Sequence, residues 1–300
     1  MSPLRIAVTG ATGMLGSTLT PVLSAAGHRV IPVSRHVVPA GIVWDPLNGM
    51  LNPSDLAGVD AVIHLAGESL AEGRWTADRK VLLRQSRTAS TQLLASAMAS
   101  LPQPPAVLIC ASAIGIYGNR GDDVLDETSA PGSGFLAALV RDWEASADPA
   151  REAGIRVVHA RFGVILAREG GALAKMVTPF KLGLGGPFGD GQQWLSWVAM
   201  ADVLGMISAA LTLPELSGPI NVTAPEPLRN RDFVAALGQE LGRPAVVPIP
   251  AFALRLALGE MADEALLSSA RVLPRRLEEA RFVFRCPELK TALHQALGPI

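Results

Sequence analysis

Glycines at positions 10, 13 and 16, three apart and directly behind the apolar run Leu4-Arg5-Ile6-Ala7-Val8, carry the clearest chemistry of this 300-residue chain. A strand that opens through a glycine turn into a helix makes a phosphate cradle. Gly10 can take the tight turn, Gly13 lets the backbone approach a pyrophosphate, and Gly16 lets the helix pack close to the sheet. The helix N-terminus adds unpaired N–H groups and the positive end of its dipole. Gly10, Thr12, Gly13, Met14 and Leu15 are therefore expected to hold a dinucleotide, with a helix from about Met14 to Ala26 that stops at Gly27. The second strand, Arg29-Val30-Ile31-Pro32-Val33, leads to Ser34 and Arg35, where the adenosine ribose would lie. An acid there binds the 2′-hydroxyl of NAD, whereas an arginine with a small hydroxyl suits the 2′-phosphate of NADP. His36, Val37 and Val38 come next, so no acid is at hand and NADP(H) is the expected cofactor.

Proton chemistry is harder to find. The one tyrosine is Tyr117, the lysines are Lys80, Lys175, Lys181 and Lys290, and Gly121 stands four residues after Tyr117. A Tyr-x-x-x-Lys pair is thus absent. No His, Cys, Asp or Glu cluster has metal-ligand spacing, so no metal is expected. His64 closes an apolar strand and reads as a packed, hydrogen-bonded core residue. Asp122, Asp123, Asp126 and Glu127 read as a solvated acidic loop or as a lid edge beside Tyr117.

The elements that must position these residues follow from periodicity. Ile42-Val43-Trp44, Asp60 to Ala66, Ala106 to Ala111 and Arg156 to Arg161 are further apolar strands. Helices are predicted from Thr76 to Ser100 and from Phe135 to Glu152. Near-continuous apolar strands alternating with helices mean a parallel sheet covered on both faces. The expected fold is a Rossmann-type doubly wound α/β sheet formed by residues 1–166 and rejoined by 198–222. After residue 167 glycine and proline cluster between Leu182 and Gly191, and a smaller C-terminal α+β lobe, 167–300, could close over a ligand. Net charge is −1, which gives no electrostatic reason for nucleic acid or an anionic membrane as partner. With no apolar run of about eighteen residues and no signal-peptide h-region, a soluble cytoplasmic chain is expected. Cys110 and Cys286 read as thiols in a reducing compartment.

Thr9 to Gly16, Ile63-His64-Leu65-Ala66-Gly67 and Ala113-Ile114-Gly115-Ile116-Tyr117-Gly118 together resemble the extended short-chain dehydrogenase/reductases, the nucleotide-sugar epimerase group. More closely the chain resembles an atypical branch, the YfcH-like epimerase family proteins. That narrower likeness rests on Gly67-Glu68-Ser69, Arg74-Trp75-Thr76, Ser86-Arg87, Arg141-Asp142-Trp143-Glu144, Gly170 to Leu173, Gln193 to Trp197 and Phe252 to Met261. The resemblance implies an NADP-type cofactor, also touched by Leu65, Ala66, Gly67 and Glu68, and a substrate lobe. It also implies that Ser112 stands where the family's catalytic serine is expected. By its register Phe135 and Leu139 take the tyrosine and lysine places, and neither carries a proton. Arg87 stands near a position where those relatives carry a structural asparagine. A homodimer through the long helices is an analogy from the superfamily.

Three readings follow. Proton transfer passes to other groups, with Ser112 and Tyr117 the candidates and Glu68 or Arg74 nearby; or the chain binds NADP(H) as a non-catalytic regulator or redox sensor; or its reaction needs no such acid. In the first, the chain is an oxidoreductase or epimerase for a small carbonyl or hydroxyl compound, with Arg74, Trp75, Trp194 and Trp197 as candidate substrate contacts. Trp194 and Trp197 would face opposite sides of a strand, one to the core and one to a ligand.

Overall fold

The computed structural model describes residues 2–298. Five strands open the chain: β1 (Arg5–Thr9), β2 (Arg29–Ser34), β3 (Ile42–Val43), β4 (Ala61–His64) and β5 (Val107–Ala113). β6 (Val124–Leu125), β7 (Arg156–Phe162), β8 (Val164–Leu166) and β9 (Trp194–Leu195) follow. β10 (Trp197–Ala199), β11 (Gly218–Val222), β12 (Leu228–Arg229) and β13 (Arg271–Val272) complete the strands. The first helices are α1 (Met14–Ala25), α2 (Ala77–Ala99), α3 (Phe135–Ala145), α4 (Asp148–Glu152) and α5 (Gly171–Lys181). After them come α6 (Met200–Thr212), α7 (Asn230–Leu241), α8 (Ala251–Leu258), α9 (Arg275–Glu279) and α10 (Leu289–Leu297).

Seven strands form one sheet in the order β11-β7-β5-β4-β1-β2-β3. Every pair in it is parallel, as the apolar strands predict. Alternate residues of β1 serve opposite faces. Ile6 and Val8 join Leu19 of α1 and Met206 and Ile207 of α6; Ala7 joins Leu94 and Met98 of α2. Burial of apolar area on both faces is the main force holding this layer structure. The chain moves outward from β1 to β3, then crosses back to place β4 on the other side of β1. That reversal opens a crevice at the carboxyl ends of β1 and β4, where doubly wound sheets bind ligands.

A separate core of Phe180, Trp197, Phe233, Leu237, Leu289 and Leu293 lies under α5, α7 and α10. Sequence periodicity predicted a single helix from Phe135 to Glu152. It ends instead at Ala145, and Pro149, whose ring cannot follow a helical interior, sits in the first turn of the short α4. α2 keeps nearly its predicted bounds, with the Thr76 hydroxyl accepting the Arg79 N–H as its N-cap. Among the described residues no helix is long and apolar enough to cross a membrane.

Candidate functional site

The glycine turn has the close contacts its spacing implies. Gly10 has φ +68°, and a Cβ there would stand 2.9 Å from the Leu65 carbonyl carbon. A Cβ on Gly16 would lie 2.1 Å from the Gly10 carbonyl oxygen, so only glycine lets α1 sit this tightly on the turn. Gly13 is the N-cap and offers no side-chain cap, which leaves the first-turn N–H groups of α1 for a ligand. The Thr9 hydroxyl accepts the Leu65 and Ala66 N–H groups at 3.0 and 3.1 Å and shares a 2.7 Å hydrogen bond with His64 Nδ1. The ends of β1 and β4 are thereby fixed to each other. His64 is fully buried against Ser90 and Trp44. Burial, aided by the Arg87 charge, pushes its pKa down to about 4, so the ring is neutral and structural.

A cavity of about 370 Å³ lies over this crevice, lined by Gly10, Thr12, Gly13, Ser34, Arg35, Leu65, Ala66, Gly67 and Glu68. Met14 faces the neighbouring cleft, and the Leu15 side chain is in the core, so Leu15 can offer the turn only its main chain. The Glu68 carboxylate is engaged by Arg79 at 3.2 Å.

A second cavity, about 330 Å³ and mostly apolar, opens beyond Gly67 between α3, β5 and the C-terminal segment. Leu136, Leu139, Val140 and Phe162 supply much of its wall, and Ser112 and Arg87 line it too. Arg87 links the two cavities, because it bonds the Glu68 carbonyl at 2.9 Å and lies beside Gly67. The Ser112 hydroxyl donates to Glu144 Oε1 at 2.6 Å. Arg161 grips the same carboxylate through Nε at 2.8 Å and Nη2 at 2.7 Å, and its Nη1 donates to the Tyr117 hydroxyl at 3.0 Å. Tyr117 in turn donates to Asn221 Oδ1 at 2.7 Å. Burial alone would raise Glu144, but the Arg161 bonds with the His159 and Arg161 charges hold it below the usual carboxylate range. The cavity therefore meets a serine whose proton points at a buried anion and whose lone pairs stay free.

The sequence model of the NAD dependent epimerase/dehydratase family matches residues 6–223. The chain belongs to that family. A second model, a domain of unknown function numbered 1731, matches residues 249–296. The chain is 42% identical over 299 residues to the epimerase family protein Mb2239 of Mycobacterium bovis, covering 99% of this chain and 98% of that one. It is 37% identical over 302 residues to YfhF of Bacillus subtilis, covering 98% of each. Human epimerase family protein SDR39U1, whose structure was solved with NADPH, superposes with a TM-score of 0.91 at 35% identity, over 99% of this chain and 100% of that one.

Within this epimerase-family fold, the sequence candidates disperse. Ser112 and Trp194 line the second cavity. Tyr117 does not reach it: the ring is fully buried, and both hydrogen bonds of its hydroxyl are to protein. Its phenol is pushed up by burial, against the pull of Arg161. Arg74 is exposed beside Gly259. Trp75 packs edge-on against Phe135 and donates to the Leu70 carbonyl. Trp197 is core, its indole donating to the Glu226 carbonyl, while Trp194 is held between Arg229 and Arg271 with its N–H on Asp122.

In the acidic loop Asp122 and Asp123 are exposed as expected, and Glu127 corrects the expectation. Glu127 is buried and accepts the Asn221 N–H at 2.9 Å, and β6 of the same loop pairs with β13. Its run of acids looked solvated because the partners lie about a hundred residues away. Glu264 carried no sequence signal at all. It accepts the Phe135 and Leu136 N–H groups at 3.0 and 2.9 Å and so caps α3 from the C-terminal segment. Gly134 makes room for it with φ +101°, where a Cβ would meet Glu264 Oε1 at 2.2 Å.

Proposed function

We propose that this chain is an NADP(H)-dependent oxidoreductase or epimerase acting on a small carbonyl or hydroxyl compound, and that Ser112, not a tyrosine, meets the reacting oxygen. The residues present fit the cofactor: a cradle that a Cβ would fill, free N–H groups at the α1 N-terminus, and Arg35 with Ser34 at the ribose end. NADPH in the structure of human SDR39U1 supports the same choice. Bound NADP(H) supplies or accepts hydride at its nicotinamide. Glu144 fixes the Ser112 rotamer and turns the hydroxyl oxygen toward the cavity, and Arg161, steadied by Tyr117 and Asn221, fixes Glu144. In this reading Tyr117 is a positioning residue.

The observation that carries the reading is the open second cavity, which holds Ser112 and adjoins the dinucleotide cavity at Arg87 and Gly67. A protein that only reported cofactor occupancy would have no use for such a space. Phe135 and Leu139 favour the second reading, a non-catalytic NADP(H)-binding regulator, because neither can move a proton. Incubation with NADPH deuterated at the nicotinamide C4 and a panel of small ketones and aldehydes separates the two. Label should appear on the carbonyl carbon of one compound class, and Ser112→Ala should slow it at least about tenfold. Tight NADPH binding with no label in any class would leave the regulator.

A further inference from the structure

Two arginines are buried among the described residues, and they are treated differently. Arg161 holds the Glu144 carboxylate through Nε and Nη2 and the Tyr117 hydroxyl through Nη1. Arg87 is just as buried, with 7% of its surface exposed, yet no carboxylate lies within ion-pair distance. Its Nη1 and Nη2 donate to the Leu83 and Glu68 carbonyls at 3.1 and 2.9 Å, and its Nε has no partner. Glu68, the carboxylate whose charge reaches Arg87, gives its side chain to Arg79. Burial holds the guanidinium down to about 10, with Glu68 pulling it up and Arg79 down, so Arg87 is still charged at neutral pH. A buried cation with no carboxylate partner, only two carbonyls and the Trp143 ring 5.1 Å from its guanidinium carbon, is expensive to keep.

Apart from Ser268, the other polar side chains of the second cavity are already engaged. Ser112 donates to Glu144, Gln193 donates to the Phe188 and Leu266 carbonyls, Ser196 donates to the Ala270 carbonyl, and the Trp194 indole donates to Asp122. The one acid in the lining, Glu264, is turned to the N-terminus of α3, where it accepts two N–H bonds. What remains is the Ser268 hydroxyl and one guanidinium, whose Nη1 and Nη2 each keep an unused N–H, in an apolar chamber of about 330 Å³.

We infer that the ligand of this chamber is a small monocarboxylate, its carboxylate on Arg87, its apolar body against Leu136, Leu139 and Phe162, and its hydroxyl donating to the free lone pairs of Ser112. A planar two-oxygen anion matches the donor fork of a guanidinium, and one cation calls for one charge. The chamber is too small and too apolar for a sugar diphosphate. The inference rests on the proposed hydride-transfer reading for the ligand's fate, but not for its binding.

The test uses the full-length protein without cofactor. Straight- and branched-chain 2-oxo and 2-hydroxy monocarboxylates of three to eight carbons are each titrated by calorimetry beside the matching carboxamide. At least one acid should bind ten-fold or more tighter than its amide. Arg87→Met should erase the difference, and Arg87→Lys should restore part of it. If no acid outperforms its amide on the wild-type protein, the inference fails, whether or not the variants fold. Acid binding that persists unchanged in Arg87→Met also overturns it. Separate titration with NADPH keeps the readings apart: acid preference without NADPH binding sinks only the hydride-transfer reading, and NADPH binding without acid preference sinks only this one.

Discussion

Replacing Arg35 by alanine should convert a cofactor that is preferred into one that is merely tolerated. Arg35 lies at the ribose end of the dinucleotide cavity. It is exposed, and among the described residues no carboxylate pairs with it. Ser34 beside it spends its oxygen on the His36 N–H at 3.1 Å and keeps its proton to give. A charge-assisted hydrogen bond to a phosphate is worth about 1.5–3 kcal/mol when protected. Exposure and salt reduce this, so about 1–2 kcal/mol is the reasonable range. That corresponds to roughly 5- to 30-fold in the NADPH dissociation constant, with NADH unchanged because it has no 2′-phosphate. The buried Trp44 lines the same cavity and provides the fluorescence signal, with Trp44→Phe as its control. The gap between wild type and Arg35→Ala should shrink in about 1 M salt, where the screening length falls to about 3 Å. Equal losses for NADPH and NADH, or no loss for either, would refute the assignment of Arg35 to the 2′-phosphate.

Other outcomes follow from the same coordinates. Gly16→Ala should abolish NADPH binding and lower the melting temperature, because backbone lies 2.1 Å from the new Cβ; Gly13→Ala, with 3.3 Å of space, should keep the fold. Removing the α3 cap with Glu264→Ala should cost about 1–2 kcal/mol in urea unfolding, and a change below a few tenths would mean that water replaces the cap. Tyr117→Phe should cost about 1–3 kcal/mol through the stranded Asn221 and Arg161 groups while leaving NADPH affinity intact. His64 gives a pH dependence. Its folded pKa, about 4, is below the ordinary 6.5, so between those values the unfolded chain binds a proton that the native one refuses. Stability should therefore fall by about 2 kcal/mol from pH 6.5 to pH 5 and flatten below about 4, and His64→Gln should remove most of that slope; an unchanged slope would place the protonation elsewhere.

Much of the fold was legible in the sequence because its signals are local. The glycine turn, the apolar strands and the helix beginning at Thr76 each depend on neighbours within a few residues, and all are where the pattern puts them. The interruption after Ala145 was also written locally, in Pro149, but periodicity outweighed it. The second cavity was not legible. Its polar machinery joins residues far apart in sequence: Ser112 to Glu144, Tyr117 to Asn221, Phe135 to Glu264. No spacing rule reaches across such distances, and Glu127 looks the same in sequence whether it faces water or a buried N–H. Tyr117 drew attention as the lone tyrosine, although its surroundings make it a brace.

The cap on α3 also bears on how this family can change. The chamber's floor comes from α3 and β5, inside the segment shared with epimerases, whereas Glu264 and its neighbours Ala265 and Leu266 come from the segment matched by the second family model. Exchanging residues 249–296 between relatives would thus transplant part of the chamber wall and, with it, a helix cap that the recipient needs in order to stay folded. Selectivity and stability are inherited together here. A chimera that gains a new ligand should succeed only when position 134 of the recipient is glycine, so that the incoming carboxylate has somewhere to land.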